Sequence, residues 1–309
     1  MSPSPLVRDQ AGFSAEAWFV APIKRHRLLL LAAICLAVLP FVLFWQVWWP
    51  DARQRRVFAH GDFTIQHYPM RAFVARELRQ GRLPLWDPYA FGGESAVSES
   101  LFAIYYPLGF WEVIFPTLPF TALELEAVAQ LGLAGIFTFL LVRRLTGRAA
   151  AGLIAGVTFS LGGFLTSYPM LQLIILQTAI WLPAGLWLLD IGLDRRSLRC
   201  VAVAGAVLGV GILGGHFQTF LYVAYAAGAF LLFRAGRLRL GWRFTLAAAL
   251  LLGAAALGLG AAQWLPALDI ARLSPRAKLS YAELAHGFSL DALWGILRPL
   301  PGQWSPLYM

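Results

Sequence analysis

Just after its first apolar run the chain places a carboxylate among polar and aromatic side chains, in Ala59-His60-Gly61-Asp62-Phe63-Thr64-Ile65-Gln66-His67-Tyr68-Pro69. A carboxylate near a membrane surface can take the proton of an attacking hydroxyl, which is the work of a general base. Asp62 equally suits the N-cap of a helix beginning near Phe63, since Asp is a favoured capping residue. The residue types leave both roles open. His60, Asp62 and His67 also suggest metal ligands. On an α-helix, however, His67 would stand five residues from Asp62 on a poorly matched face, and the chain has no H-E-x-x-H or C-x-x-C motif. Neither a tightly bound metal nor a cofactor is expected.

Further along, Leu83-Pro84-Leu85-Trp86-Asp87-Pro88-Tyr89-Ala90-Phe91-Gly92-Gly93-Glu94 combines turn formers with rings and acids. Asp87-Pro88 and Gly92-Gly93 read first as turn chemistry. Trp86 and Tyr89 can stack on a sugar or anchor the loop at the interface. Arg53, Arg55, Arg56 and Arg71 can each meet a lipid phosphate or simply face headgroups and water. His216 and Gln218, in Gly214-Gly215-His216-Phe217-Gln218, form a polar pair near membrane depth. Such a pair is costly unless it faces water or the protein interior. It either binds a phosphate or sugar hydroxyl, or is satisfied by backbone carbonyls at a helix junction. Glu124 and Glu126 suit a helix N-terminus, and only one of them is expected to face inward, because i and i+2 diverge on a helix.

These residues must be held by membrane helices. Of 309 residues, 59% are apolar and 13% charged, too few charges for the surface of a soluble domain this size. A span needs about 20 apolar residues. Seven stretches qualify: 28–49, 121–142, 149–168, 170–189, 199–215, 217–233 and 244–264. The fifth and sixth form one apolar run, and the paired glycines Gly214-Gly215 mark the turn between them. The stretch 28–49 is too long for a signal h-region and lacks a small-residue cleavage site. Cys35 and Cys200 lie in apolar runs and read as membrane-buried small residues, with neither metal nor disulfide spacing.

The net charge is +9, but the basic residues sit in short clusters between apolar runs instead of on one face, which excludes nucleic acid as a partner. Their placement sets the topology. With the N-terminus cytoplasmic, the inner segments 1–27, 143–148, 190–199 and 234–243 hold 14 of the 25 Lys and Arg but 4 of the 16 acidic residues. A cytoplasmic segment 1–27, a transmembrane domain 28–264 with a long outer loop 50–120, and an outer segment 265–309 follow. Within the loop, residues 64–80 are expected to form an amphipathic helix on the membrane surface, with Phe73, Val74 and Leu78 opposite Arg71, Arg76 and Arg79, and with Gly81 as its C-cap. The stretch 101–120, broken by three prolines, reads as interfacial or re-entrant. Gly152/Gly156 and Gly205/Gly209 have the G-x-x-x-G spacing of close helix packing.

The runs G-D-x-x-x-Q-x-x-P, from Gly61 to Pro69, and L-P-L-W-D-P-Y-x-F-G-G, from Leu83 to Gly93, resemble bacterial YfhO-type membrane proteins. So do Tyr105-Tyr106-Pro107-Leu108, Gly215-His216-Phe217-Gln218-Thr219, Ser274-Pro275-Arg276 and Leu297-Arg298-Pro299. The resemblance covers nearly the whole chain. It implies a bacterial plasma-membrane protein and an all-α, GT-C-like glycosyltransferase fold. It also implies a sugar donor on a polyprenyl phosphate and an envelope polymer, such as a teichoic acid, or a lipid as acceptor on the outer face. Family members are typically longer, so this chain is expected to be the N-terminal part of a longer protein. Asp62 matches the acidic residue that such enzymes carry just beyond the first span, and the resemblance implies that it is the base. Gln66, His67, Arg71, Trp86, Asp87, Glu94, His216 and Gln218 make up the candidate binding set. Some enzymes of this superfamily use a divalent cation, which would bring Asp62 together with Glu94 or Glu99. A flippase of lipid-linked precursors and a non-catalytic envelope assembly protein are the other readings of the same features.

Overall fold

The computed structural model describes residues 15–51, 53–274 and 279–280. The expected inner segment up to residue 14, most of the segment after 274, and the motif residues Pro275, Arg276, Leu297, Arg298 and Pro299 lie outside the described residues.

Described residues are helical wherever they are regular, with no strand among them. The helices are α1 (Ala15–Leu43), α2 (Tyr68–Arg79), α3 (Phe120–Thr146), α4 (Ala149–Leu161), α5 (Tyr168–Leu171), α6 (Leu173–Ala179), α7 (Trp181–Asp194), α8 (Leu198–Leu213), α9 (Phe217–Arg237) and α10 (Trp242–Leu273). Four helical stretches are long and apolar enough to cross a membrane: α3, the combined α6–α7, α9 and α10. Three shorter apolar helices, Leu29–Leu43 within α1, Ala149–Leu161 and Leu198–Leu213, stand where the first, third and fifth expected spans were placed. At 1.5 Å per residue the 13 residues of α4 extend only about 20 Å, against a hydrocarbon core of about 30 Å. Gly162 and Gly163 follow at once, where the sequence reading had carried the span to residue 168.

Local sequence accounts for the breaks. Pro183, near the start of α7, lacks the N–H that would bond to Ala179, so the helical path interrupts at Ile180. The turn expected at the paired glycines occurs there: α8 ends at Leu213, α9 starts at Phe217, and Gly215 adopts φ +91°. The last span runs past its expected end at 264 to Leu273 despite Pro266, so the outer segment set at 265 begins instead as helix.

Both glycine pairs let backbones meet. A Cβ at Gly205 would lie 2.4 Å from the Leu252 carbonyl oxygen on α10, and one at Gly156 would lie 2.7 Å from the Gly135 carbonyl on α3. The two larger apolar clusters among the described residues lie around Leu123, Leu131 and Leu176 and around Leu193, Val201 and Leu252, and two smaller ones lie around Phe73 and Phe102 and around Tyr106 and Ile174. Leu221, Leu232, Leu246 and Leu250 remain exposed on α9 and α10, a surface suited to lipid.

At one end of the bundle, Asp190 on α7 is buried and accepts from both Arg144 of α3 and Arg234 of α9, while Arg144 also reaches Asp194 at 3.1 Å. Three of the basic connections assigned to one membrane side therefore meet at one end of the structure. The loop between α1 and α3 covers the other end: Ser100 presses its carbonyl so close to Gly215 that a Cβ there would lie 2.2 Å from it.

Candidate functional site

The chain enters the loop helix through five residues of π-helix, Phe63–His67, closed by Tyr68 N–H donating to the Phe63 carbonyl. Thr64 fixes the entry by donating its hydroxyl to the Gly61 carbonyl at 2.8 Å and accepting from Gly61 N–H at 3.0 Å. Because Thr64 holds Gly61, Asp62 has αR geometry and no capping bond to the helix. The capping role considered for its side chain is therefore not the one it has. Its carboxylate turns aside, accepting from Gln66 Nε2 at 3.4 Å on one oxygen and from Gln172 Nε2 on the other.

Gln172 bridges two site residues. Its amide oxygen lies 3.2 Å from Nε2 of His67, which is 1% exposed. The amide nitrogen serves the carboxylate, so the amide oxygen must accept, and His67 must carry its proton on Nε2. Burial lowers the His67 pKa, opposed by the Gln172 bond and the Asp62 charge, and the imidazole is held neutral. The α-helical argument placed His67 and Asp62 on mismatched faces. The wider π-turn, with i to i+5 closure, brings both onto Gln172. Asp62 stays half-buried and reachable.

One turn further on, Arg71 is 3% exposed. It does not face headgroups, as an amphipathic surface helix would have it. Its guanidinium pairs with Glu112 at 2.9 Å and with Glu126 of α3 at 3.6 Å. Glu126 also accepts from Trp111 Nε1 at 3.0 Å, Gln130 Nε2 at 3.0 Å and Gln177 Nε2 at 3.1 Å. Burial, aided by the neighbouring Glu126, pushes Glu112 up to about 8 although Arg71 pulls the other way. Glu124 and Glu126 are both buried, contrary to the expectation that only one would turn inward. The loop covers two faces of α3: Glu124 accepts from Phe58 N–H at 2.6 Å, while Glu126 meets α2.

Residues 87–94 form the expected turn. Asp87 and Glu94 exchange backbone bonds of 2.8 Å, and the Asp87 carboxylate accepts from Tyr89 N–H at 2.9 Å. The Trp86 indole lies against Gly93, where φ is +114° and a Cβ would sit 2.6 Å from the ring, so only glycine fits. α2 itself ends in the Gly81 motif foreseen: Gly81 N–H reaches the Leu78 carbonyl and Arg82 N–H the Glu77 carbonyl, both at 3.0 Å.

Two cavities lie near residues that neighbour the Asp62–Gln172 pair, although neither residue of the pair lines them. One, of about 880 Å³, lies between α2 and the 87–101 segment and includes Gln66, Asp87 and Glu94. The other, of about 330 Å³, is lined by Phe44, Gln46, Arg56, Ala59, Met170 and Leu171. No family model, curated protein or solved structure matches this chain. The site is accordingly argued from its own geometry. Among the described residues no group of three or more His, Cys, Asp or Glu is placed to hold a metal ion.

His216 and Gln218 make local contacts. His216 caps α9 by accepting from Thr219 N–H at 3.1 Å, and Gln218 donates to Tyr222 hydroxyl at 3.0 Å. The junction does touch α6, since Thr178 hydroxyl accepts His216 N–H at 3.4 Å. Gln172 and Gln177 escaped the sequence reading. Their signal was a pair of amides inside an otherwise apolar candidate span, where polar groups need a reason to exist.

Proposed function

We propose that this chain belongs to a GT-C-like, YfhO-type membrane glycosyltransferase. In this reading it crosses the bacterial plasma membrane about seven times from a cytoplasmic N-terminus. It moves a sugar from a polyprenyl-phosphate donor to an envelope acceptor on the outer face. The acceptor hydroxyl attacks the anomeric carbon, the bond from that carbon to the phosphate oxygen breaks with its electron pair leaving on phosphate, and Asp62 takes the hydroxyl proton.

The observation that carries this reading is the state of Asp62. Its carboxylate is half-buried and oriented by a fixed amide instead of being used as a helix cap, and Gln66, which donates to it, lines the larger cavity. The smaller cavity is apolar with Arg56 at its wall, a combination suited to a lipid chain and its phosphate. The larger cavity, reached through Gln66, then serves the acceptor.

Replacement of Asp62 by Asn in the complete gene, introduced into a deletion strain, tests this. The glycan profile of the deletion strain should persist with Asp62→Asn and be restored by the natural sequence. A normal profile with the variant ends the proposal. Cysteine labelling near position 62 should succeed from outside the intact cell.

A further inference from the structure

The larger cavity has a chemical character of its own. Its volume of about 880 Å³ falls within the range of about 300–1,000 Å³ usual for small-molecule sites. Two rings stand in its wall, Phe73 and Tyr89, edge to face with centroids 6.5 Å apart. The Arg76 guanidinium lies over both, 5.6 and 5.1 Å from their centroids. Tyr89 is 74% exposed, so much of its surface is free for a ligand.

Three carboxylates line the same space: Asp87, Glu94 and Glu99. Asp87 accepts from Tyr89 N–H, and Glu99 caps the turn at Ser100–Phe102 by accepting from Leu101 N–H at 3.1 Å. Glu94 differs, because its Oε1 is buried and has no hydrogen-bond donor. Burial and the two nearby acids push its pKa up. Of the described lining residues Arg76 alone is cationic, and it also pairs with Glu77 at 3.6 Å. An excess of acceptor oxygens and negative charge thus faces a cavity walled by rings.

We propose that this cavity binds an uncharged, hydroxyl-rich oligosaccharide segment and turns away polymers that carry phosphate or carboxylate. Sugar hydroxyls donate to the cavity-facing oxygens of Glu94, Asp87 and Glu99, bonds strengthened by the acceptor charge. The apolar face of a sugar ring lies on Tyr89. An anionic chain would meet three carboxylates for one guanidinium. To call the segment an acceptor rests on the transferase reading, and it narrows that reading against polyanionic envelope polymers. The binding itself does not depend on it.

The test uses the purified full-length chain in detergent, with maltotriose, N-acetylchitotriose and a glycerol-phosphate trimer as probes, followed by saturation-transfer NMR and equilibrium dialysis. At least one neutral trisaccharide should bind. Tyr89→Ala and Glu94→Gln should each weaken that binding tenfold or more while leaving the melting temperature in place. The glycerol-phosphate trimer should not bind the natural sequence. Failure of both neutral sugars, neutral binding that neither variant weakens, or glycerol phosphate binding as tightly as the neutral sugars, overturns the proposal. Asp62→Asn separates the two claims: if sugar binding stands but the variant still restores the glycan profile, the transferase reading falls and the cavity assignment remains. If the variant abolishes transfer while neither sugar binds, the cavity assignment falls alone.

Discussion

Gln172 and Asp62 stand 110 positions apart in the chain, yet the amide nitrogen of the first donates to the carboxylate of the second. The contact joins the start of the loop helix to the start of α6. It also fixes where the candidate base points, and, through the other end of the amide, which nitrogen of His67 holds a proton.

Gln172→Leu should therefore cost more than a surface change. A hydrogen bond to a charged group contributes about 1.5–3 kcal/mol, so under the proposed transferase function a tenfold to hundredfold slower transfer is expected, measured as turnover in membranes. Gln172→Glu should be worse at neutral pH and recover as the solution is acidified, because it sets a second carboxylate against Asp62. A pH profile identical to that of Gln172→Leu would show that the amide merely fills space.

Removing the guanidinium of Arg71 leaves Glu112 and Glu126 buried without their cation. Loss of one partner from such a buried cluster typically costs about 3–5 kcal/mol. Arg71→Met should thus lower the melting temperature of the detergent-solubilised protein sharply. Arg71→Met combined with Glu126→Gln should recover part of the loss, since one stranded charge is gone.

Glu112 predicts a dependence on pH. Its pKa lies near 4.5 ordinarily and is raised to about 8 in the folded protein. The folded state then holds a proton that the unfolded state has released, so this group's contribution is complete below its unfolded pKa and falls as pH rises through the folded one. His67, with a lowered pKa, contributes in the opposite sense: its share is lost as pH falls below its unfolded value of 6.5. The difference between melting curves of the natural sequence and Glu112→Gln, taken from pH 5 to 8, isolates the first effect. The melting temperature of the natural sequence relative to that of the variant should fall steadily with rising pH.

Gly205→Leu and Gly209→Leu should loosen α8 from α10. The atoms that a side chain would strike are backbone carbonyls of Leu252 and Ala256, which cannot move aside as a side chain can. A loss of about 1–3 kcal/mol for each is expected in thermal unfolding, from overpacking.

The sequence made some of this arrangement readable and hid the rest for definite reasons. Local patterns were reliable: the Gly81 helix end, the 87–94 turn and the 214–217 junction are each written in neighbouring residues. Arg71 was misplaced because a helix period sorts residues by face, and its face looked polar. Nothing nearby in the sequence reveals that Glu112 and Glu126 would arrive to meet it. Glu124 and Glu126 were separated by the geometry of a lone helix, whereas α3 is covered on more than one side. The partners of Asp190, 46 and 44 residues away, were equally silent. Asp62 was found from its place in the chain, but the amide that aims it was not.

The five-residue turn at Phe63–His67 amounts to one residue inserted into an ordinary helical coil. Shortening the chain there by a single position would let α2 form as before, with all its own bonds. Everything upstream would swing by about 100° around the axis. The acid would then look away from its distant amide. Orientation at this site is thus encoded in the count of residues as much as in their identity.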